Sequence, residues 1–103
     1  MSPQYRFLQY IVDPFIRHRV TVAALIRGGR TVKVLMAPKD RVRHELASPR
    51  AWNLLGSLWP DIEALGSFER LPRSFGPQFV LTAPEPIPPG DPEGWVQARL
   101  AAV

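Results

Sequence analysis

The sequence predicts an α+β domain: a small antiparallel sheet of three to four strands with two or three helices packed on one face. Three observations carry this expectation. Residues 19–37 (RVTVAALIRGGRTVKVLMA) set two runs of branched and aliphatic residues on either side of Gly28-Gly29, the pattern of a β-hairpin. Residues 48–59 open on Ser-Pro and repeat apolar side chains every three or four positions, the period of an amphipathic helix. A length of 103 residues supplies one modest core and not two, so residues 1–103 are read as a single domain.

Residues 5–12 (YRFLQYIV) are rich in aromatic and branched side chains and make the first strand, with Leu8, Tyr10 and Val12 on one face and Tyr5, Phe7 and Ile11 on the other. Asp13-Pro14 ends it. The connection to His18 carries Phe15 and Ile16, which either fold back onto the core or form a small patch for a partner. The hairpin follows, with strands over 19–27 and 30–37. A type I′ turn centred on Gly28-Gly29 would close it, because that turn needs positive φ at both central residues. The register then sets Arg27 opposite Arg30, Leu25 opposite Val32 and Ile26 opposite Thr31. Both faces are apolar away from the tip, which places the hairpin in the inner part of the sheet.

Beyond the hairpin, Ala37-Pro38 breaks the strand and Asp40 caps a short helical turn toward Ala47. Ser48-Pro49 starts the helix over 49–59, whose Ala51, Trp52, Leu54, Leu55, Leu58 and Trp59 form one broad face read as core rather than as a stacking platform. Pro60 stops that helix or starts a short one over 61–65. Residues 67–77 form a loop that tucks Phe68, Leu71 and Phe75 inward, and 78–83 (QFVLTA) make the last strand. Five of the nine residues in 84–92 are proline, which sets a stiff, extended connector rather than an SH3-type ligand. Asp91-Pro92-Glu93 begins the final helix over 92–102, with Trp95, Val96, Arg99, Leu100 and Val103 on its stripe.

Composition narrows the chemistry. With no cysteine there is no disulfide framework, no thiolate zinc site and no cysteine nucleophile, and the chain fits a reducing cytoplasm. The longest purely apolar run, residues 22–26, is far short of a membrane span, so no membrane association is expected. His18 and His44 lack the closely spaced carboxylates of a metal site, and no cofactor is expected. Gly28-Gly29 lacks the further glycines and the lysine of a phosphate-cradling loop. Asp61, Glu63 and Glu69 read as helix-terminal and surface charge rather than as a paired acid and base, so no catalytic residue is assigned and an enzyme is not expected.

The net charge of +4 hides an asymmetry. Residues 17–43 carry Arg17, Arg19, Arg27, Arg30, Lys33, Lys39, Arg41 and Arg43 against Asp40 alone, a balance of +7, while the remainder sums to −3. Segregation of that kind points to an acidic partner, and these eight cations are the candidate binding residues. The leading expectation is a non-enzymatic accessory protein that uses the basic hairpin to bind an acidic, larger protein partner. The alternative is DNA or RNA binding through the same surface, since a two-stranded ribbon fits a groove and arginines at its tip reach phosphates. The sequence leaves the oligomeric state open.

The run over residues 5–24, YRFLQYIVDPFIRHRVTVAA, resembles the start of an uncharacterised bacterial family of small proteins, a domain of unknown function often encoded beside HipA-like kinases. In that family a strand leads into Asp-Pro, a charged turn and a strand of the form Arg-Val-Asn-Val-Gly. Asp13, Pro14, Arg19, Val20 and Val22 match, while His18, Thr21 and Ala23 replace the family's Glu, Asn and Gly. The resemblance covers about a fifth of the chain and implies a small bacterial accessory protein working with a larger partner. It carries over no catalytic residue.

Overall fold

A computed structural model describes residues 3–13, 15 and 18–102 of the chain. Its elements are β1 (Gln4–Asp13), β2 (His18–Gly28), β3 (Thr31–Met36), α1 (Lys39–Leu46), α2 (Pro49–Glu63), β4 (Phe79–Leu81), β5 (Glu85–Pro86) and α3 (Pro92–Ala102), with a 3₁₀ segment at Arg73–Gln78 before β4. The sheet runs β3-β2-β1-β4, every pairing antiparallel, and β5 adds to β1 beside β4. The α+β class and the antiparallel sheet are those the sequence predicts. Pro14, Ile16, Arg17 and Val103, which entered the expectations above, lie outside the described residues.

β2 is the centre of the molecule. All seven residues from Val20 to Ile26 are buried, so both faces of this strand are covered. Named contacts show what covers them. On one face, Tyr5 meets Phe7 at 5.3 Å and Trp95 of α3 at 5.4 Å between ring centroids, and Lys33 reaches Glu93 of α3. On the other, Arg6 and Arg27 point to Phe68, which follows α2, while Tyr10 packs on Phe79 and Phe79 on Phe75. The cover is thus shared between the two faces rather than gathered on one as the sequence reading had it, because the apolar residues of β1 and β2 alternate without leaving a polar face. The β1–β2 register shifts between Leu8 and Gln9, leaving Val22 as the extra residue of a bulge.

The hairpin register differs from the expected one by two residues. Gly28 pairs with Thr31, Arg27 with Val32, Ile26 with Lys33 and Leu25 with Val34, so the two central residues of the turn are Gly29 and Arg30. Gly29 has φ +64° and Arg30 has no positive φ, the pattern of a type II′ turn rather than type I′. Arg27 therefore does not face Arg30. A shift of two preserves the face of every side chain, so the two apolar faces survive the change of partners.

Three further differences have local causes. The residue before the first turn of α1 is Pro38, with no side-chain cap, and Asp40 sits inside that turn, where a carboxylate still favours the helix dipole. α2 continues through Pro60 to Glu63: burial of Trp59 and Ile62 on either side of it holds the last turn, and the helix gives up one backbone hydrogen bond. The proline-rich connector is also part of the sheet. Gln4 and Tyr5 pair with Pro86 and Glu85, Ile87 N donates to Pro3 O at 3.0 Å, and Ile87 is buried. Phe68 and Phe75 are buried and Leu71 half-buried, as the loop reading expects.

Candidate interaction surface at the α1–α2 corner

α1 is anchored by Val42 and Leu46, four apart and both buried, which turns Lys39, Asp40, Arg43 and His44 outward. Ala47 ends the helix in the left-handed region at φ 53°, and its N–H donates to Arg43 O. Ser48 then caps α2, its Oγ accepting from Ala51 N at 3.3 Å, with Pro49 at the first helical position. The two helices, joined by Ala47 and Ser48 alone, meet at a corner.

Across that corner, cations of α1 sit over aromatics of α2. Lys39 Nζ lies 5.3 Å from the ring centre of Trp59, and the Arg43 guanidinium lies 5.9 Å from that of Trp52. The two indoles are 6.0 Å apart and tilted by 60°. Lys39 and Arg43 are four apart on one helix and Trp52 and Trp59 seven apart on the other, so each pair shares a face. Trp59 is buried, whereas Trp52 is half-buried and lines an open cleft of about 300 Å³ with Arg43, Ala47, Ser48, Pro49 and Asn53. Among the described residues, neither Lys39 nor Arg43 forms a salt bridge.

The eight candidate cations do not form one surface. Arg27, Arg30 and Lys33 lie at the hairpin tip; Arg19, Lys39, Arg41 and Arg43 lie toward the other end of the sheet, beyond a strand of six residues. Arg17 lies outside the described residues. At the tip, Arg27 is tied to Glu69, donates to Gln4 Oε1 at 2.7 Å and stands 4.6 Å over Phe68. Lys33 Nζ is 2.7 Å from Glu93 Oε1. Arg30 is exposed and makes no salt bridge among the described residues. At the other end, Arg19 is exposed, and Arg41 turns its guanidinium inward: its three nitrogens are buried without a hydrogen bond, the Nε 3.8 Å from Glu45 Oε1. The outward-facing cations of that end are Arg19, Lys39 and Arg43.

Trp52 and Asn53 were not among the candidates, because helical spacing assigns Trp52 to the core and gives Asn53 no role. The signal that could have found them is the match between a cation pair at four residues and an indole pair at seven, on helices joined by two residues. Phe15, beside Asp13 at the end of β1, is 96% exposed, so it does not fold back onto the core. Among the described residues, no three His, Asp or Glu side chains come close enough to hold a metal ion, and no helix is long and apolar enough to cross a membrane.

The chain matches no protein-family model, no curated protein and no solved structure.

Proposed function

We propose that the chain is a non-catalytic accessory protein of the bacterial cytoplasm that docks an acidic partner protein on the α1–α2 corner, through Lys39 and Arg43. The observation that carries this is Arg43 standing over the half-buried Trp52 at the lip of an open cleft, without a carboxylate of its own. An arginine pre-positioned on an aromatic face loses little side-chain freedom on binding, and an acidic group brought to it completes a charge-assisted pair. The hairpin tip contributes less, since Arg27 and Lys33 already have intramolecular carboxylates. The resemblance of residues 5–24 to small bacterial accessory proteins supports a role beside a larger partner.

Nucleic-acid binding is the second reading, and one feature favours it: a tryptophan flanked by an arginine is a surface on which a base stacks. The splitting of the cations into two ends and the neutralisation of two of them favour protein, because a phosphate backbone rewards an unbroken basic track.

Affinity capture from a bacterial lysate with the wild type, Lys39→Glu/Arg43→Glu and Arg30→Glu tests this. The corner variant is expected to lose a specific acidic protein that the wild type and Arg30→Glu both retain, with circular dichroism unchanged. An unchanged partner set in the corner variant would refute the corner as the docking site. Titration of labelled DNA and RNA across salt decides the second reading, since phosphate contacts make log affinity fall linearly with log salt.

A further inference from the structure

The two edges of the sheet are treated differently. On the β4–β5 side the strands have three and two residues, Pro77 precedes them, Pro84 separates them and Pro86 stands inside β5. Short strands and prolines are the devices by which an edge refuses another strand. β3, at the opposite edge, has six residues (TVKVLM), no proline and no bulge in its register with β2. Its single charge, Lys33, is drawn to Glu93 on α3 and does not guard the edge. Val32, Val34, Leu35 and Met36 are half-buried, in contrast to the fully covered residues of β2.

The hydrogen-bond phase of this edge follows from one contact. Ala37 N donates to Val22 O at 3.0 Å, so 22 and 37 are a hydrogen-bonded pair; by alternation so are Ala24 with Leu35, Ile26 with Lys33 and Gly28 with Thr31. The N–H and C=O groups of Val32, Val34 and Met36 therefore point away from β2. No other described residue hydrogen-bonds to them. Three donors and three acceptors stand in a row along an apolar strand.

We infer that this edge pairs with the β3 edge of a second copy of the chain, as an antiparallel two-fold dimer with one sheet running through both protomers. The side chains choose both the occupant and the register. With the two-fold axis at Val34, Val34 faces the partner's Val34, Val32 faces the partner's Met36 and Lys33 faces the partner's Leu35, so no like charges oppose each other. Sliding by two residues in one direction sets Lys33 directly against the partner's Lys33, a like-charge contact at the centre of the pairing, and sliding in the other sets Val32 against the partner's Pro38, which has no N–H to donate. The first register satisfies all three outward residues on each protomer, matches apolar with apolar on the face of Val32, Val34 and Met36, and sets each Lys33 beside a leucine rather than a like charge. This interface is separate from the α1–α2 corner and does not depend on the docking role of that corner.

Sedimentation velocity over a concentration series, together with amide hydrogen exchange at the same concentrations, tests the dimer on the wild-type chain. The expected result is a mass rising toward twice 11.6 kDa. The amides of Val32, Val34 and Met36 should gain at least tenfold protection with it, while those of Thr31, Lys33 and Leu35 are protected throughout. Added salt should strengthen association, since each copy carries a net charge of +4 and screening reduces repulsion. Val34→Pro removes an N–H that the single chain leaves unused, and it is expected to be monomeric while Lys33 and Leu35 keep their protection. A monomeric mass at every concentration would overturn the inference, and so would a dimer in which the Val32, Val34 and Met36 amides exchange as fast as in dilute solution.

Discussion

Ala47 holds φ at 53° at the point where α1 gives way to α2, and it is the one non-glycine residue with positive φ among the described residues. That conformation places a Cβ against the neighbouring carbonyl and costs an L-residue roughly 1–2 kcal/mol, which is why glycine usually ends a helix in this way. Ala47→Gly is expected to raise stability by about 1 kcal/mol, part of the relief being offset by the extra freedom of glycine in the unfolded chain. Urea unfolding of the two chains measures it, and a loss of stability would show that the cost lies elsewhere. Single residues were only half legible in the sequence. The cations are all visible in it, but their partners are not, because Glu69 lies 42 residues from Arg27 and Glu93 lies 60 from Lys33. Proximity of that kind is created by the fold.

At the scale of elements, periodicity told strand from helix well, and what it missed was set by contacts distant in sequence. Gly28-Gly29 marks a hairpin, yet two adjacent glycines allow the turn to centre on either Gly28-Gly29 or Gly29-Arg30. The second option wins in the fold, where it pairs Arg27 with Val32 and removes the Arg27–Arg30 opposition. Helix α2 passes Pro60 because Trp59 and Ile62 are buried, a tertiary effect that local propensity does not contain. The pairing of β5 with β1 was hidden by its prolines, and it brings Glu85 to Tyr5, whose hydroxyl donates to Glu85 Oε2 at 2.5 Å. Burial, and then that hydrogen bond, push the Tyr5 phenol above its ordinary value of 10.0. The folded chain keeps this proton at a pH where the unfolded chain has released it. The stability Tyr5 contributes is therefore intact below about pH 10 and lost as pH rises through the raised value. Tyr5→Phe should show a shallower loss of stability than the wild type as pH rises above about 10, followed by urea unfolding at a series of alkaline pH values. Equal slopes would contradict a raised phenol.

For the whole molecule, the charge asymmetry seen in the sequence proves real but divided. One strand length separates the hairpin tip from the α1–α2 corner, and at the tip two of three cations are tied to carboxylates while at the corner Lys39 and Arg43 lie on indole rings. Along the sequence the cations of residues 17–43 look like one basic surface, because a linear window sums charges that the sheet then holds apart. The sheet also leaves one edge guarded by proline and the other bare, a contrast that becomes visible only when β4 and β5 are placed on the same side. The α1–α2 corner is the proposed docking surface. A titration of the isotopically labelled chain with an acidic glutamate-rich peptide, followed residue by residue by amide NMR, tests it most directly. Shifts concentrated at residues 39–53, and abolished by Lys39→Glu/Arg43→Glu, are the expected result; shifts centred on residues 27–33, or none at low salt, would contradict it.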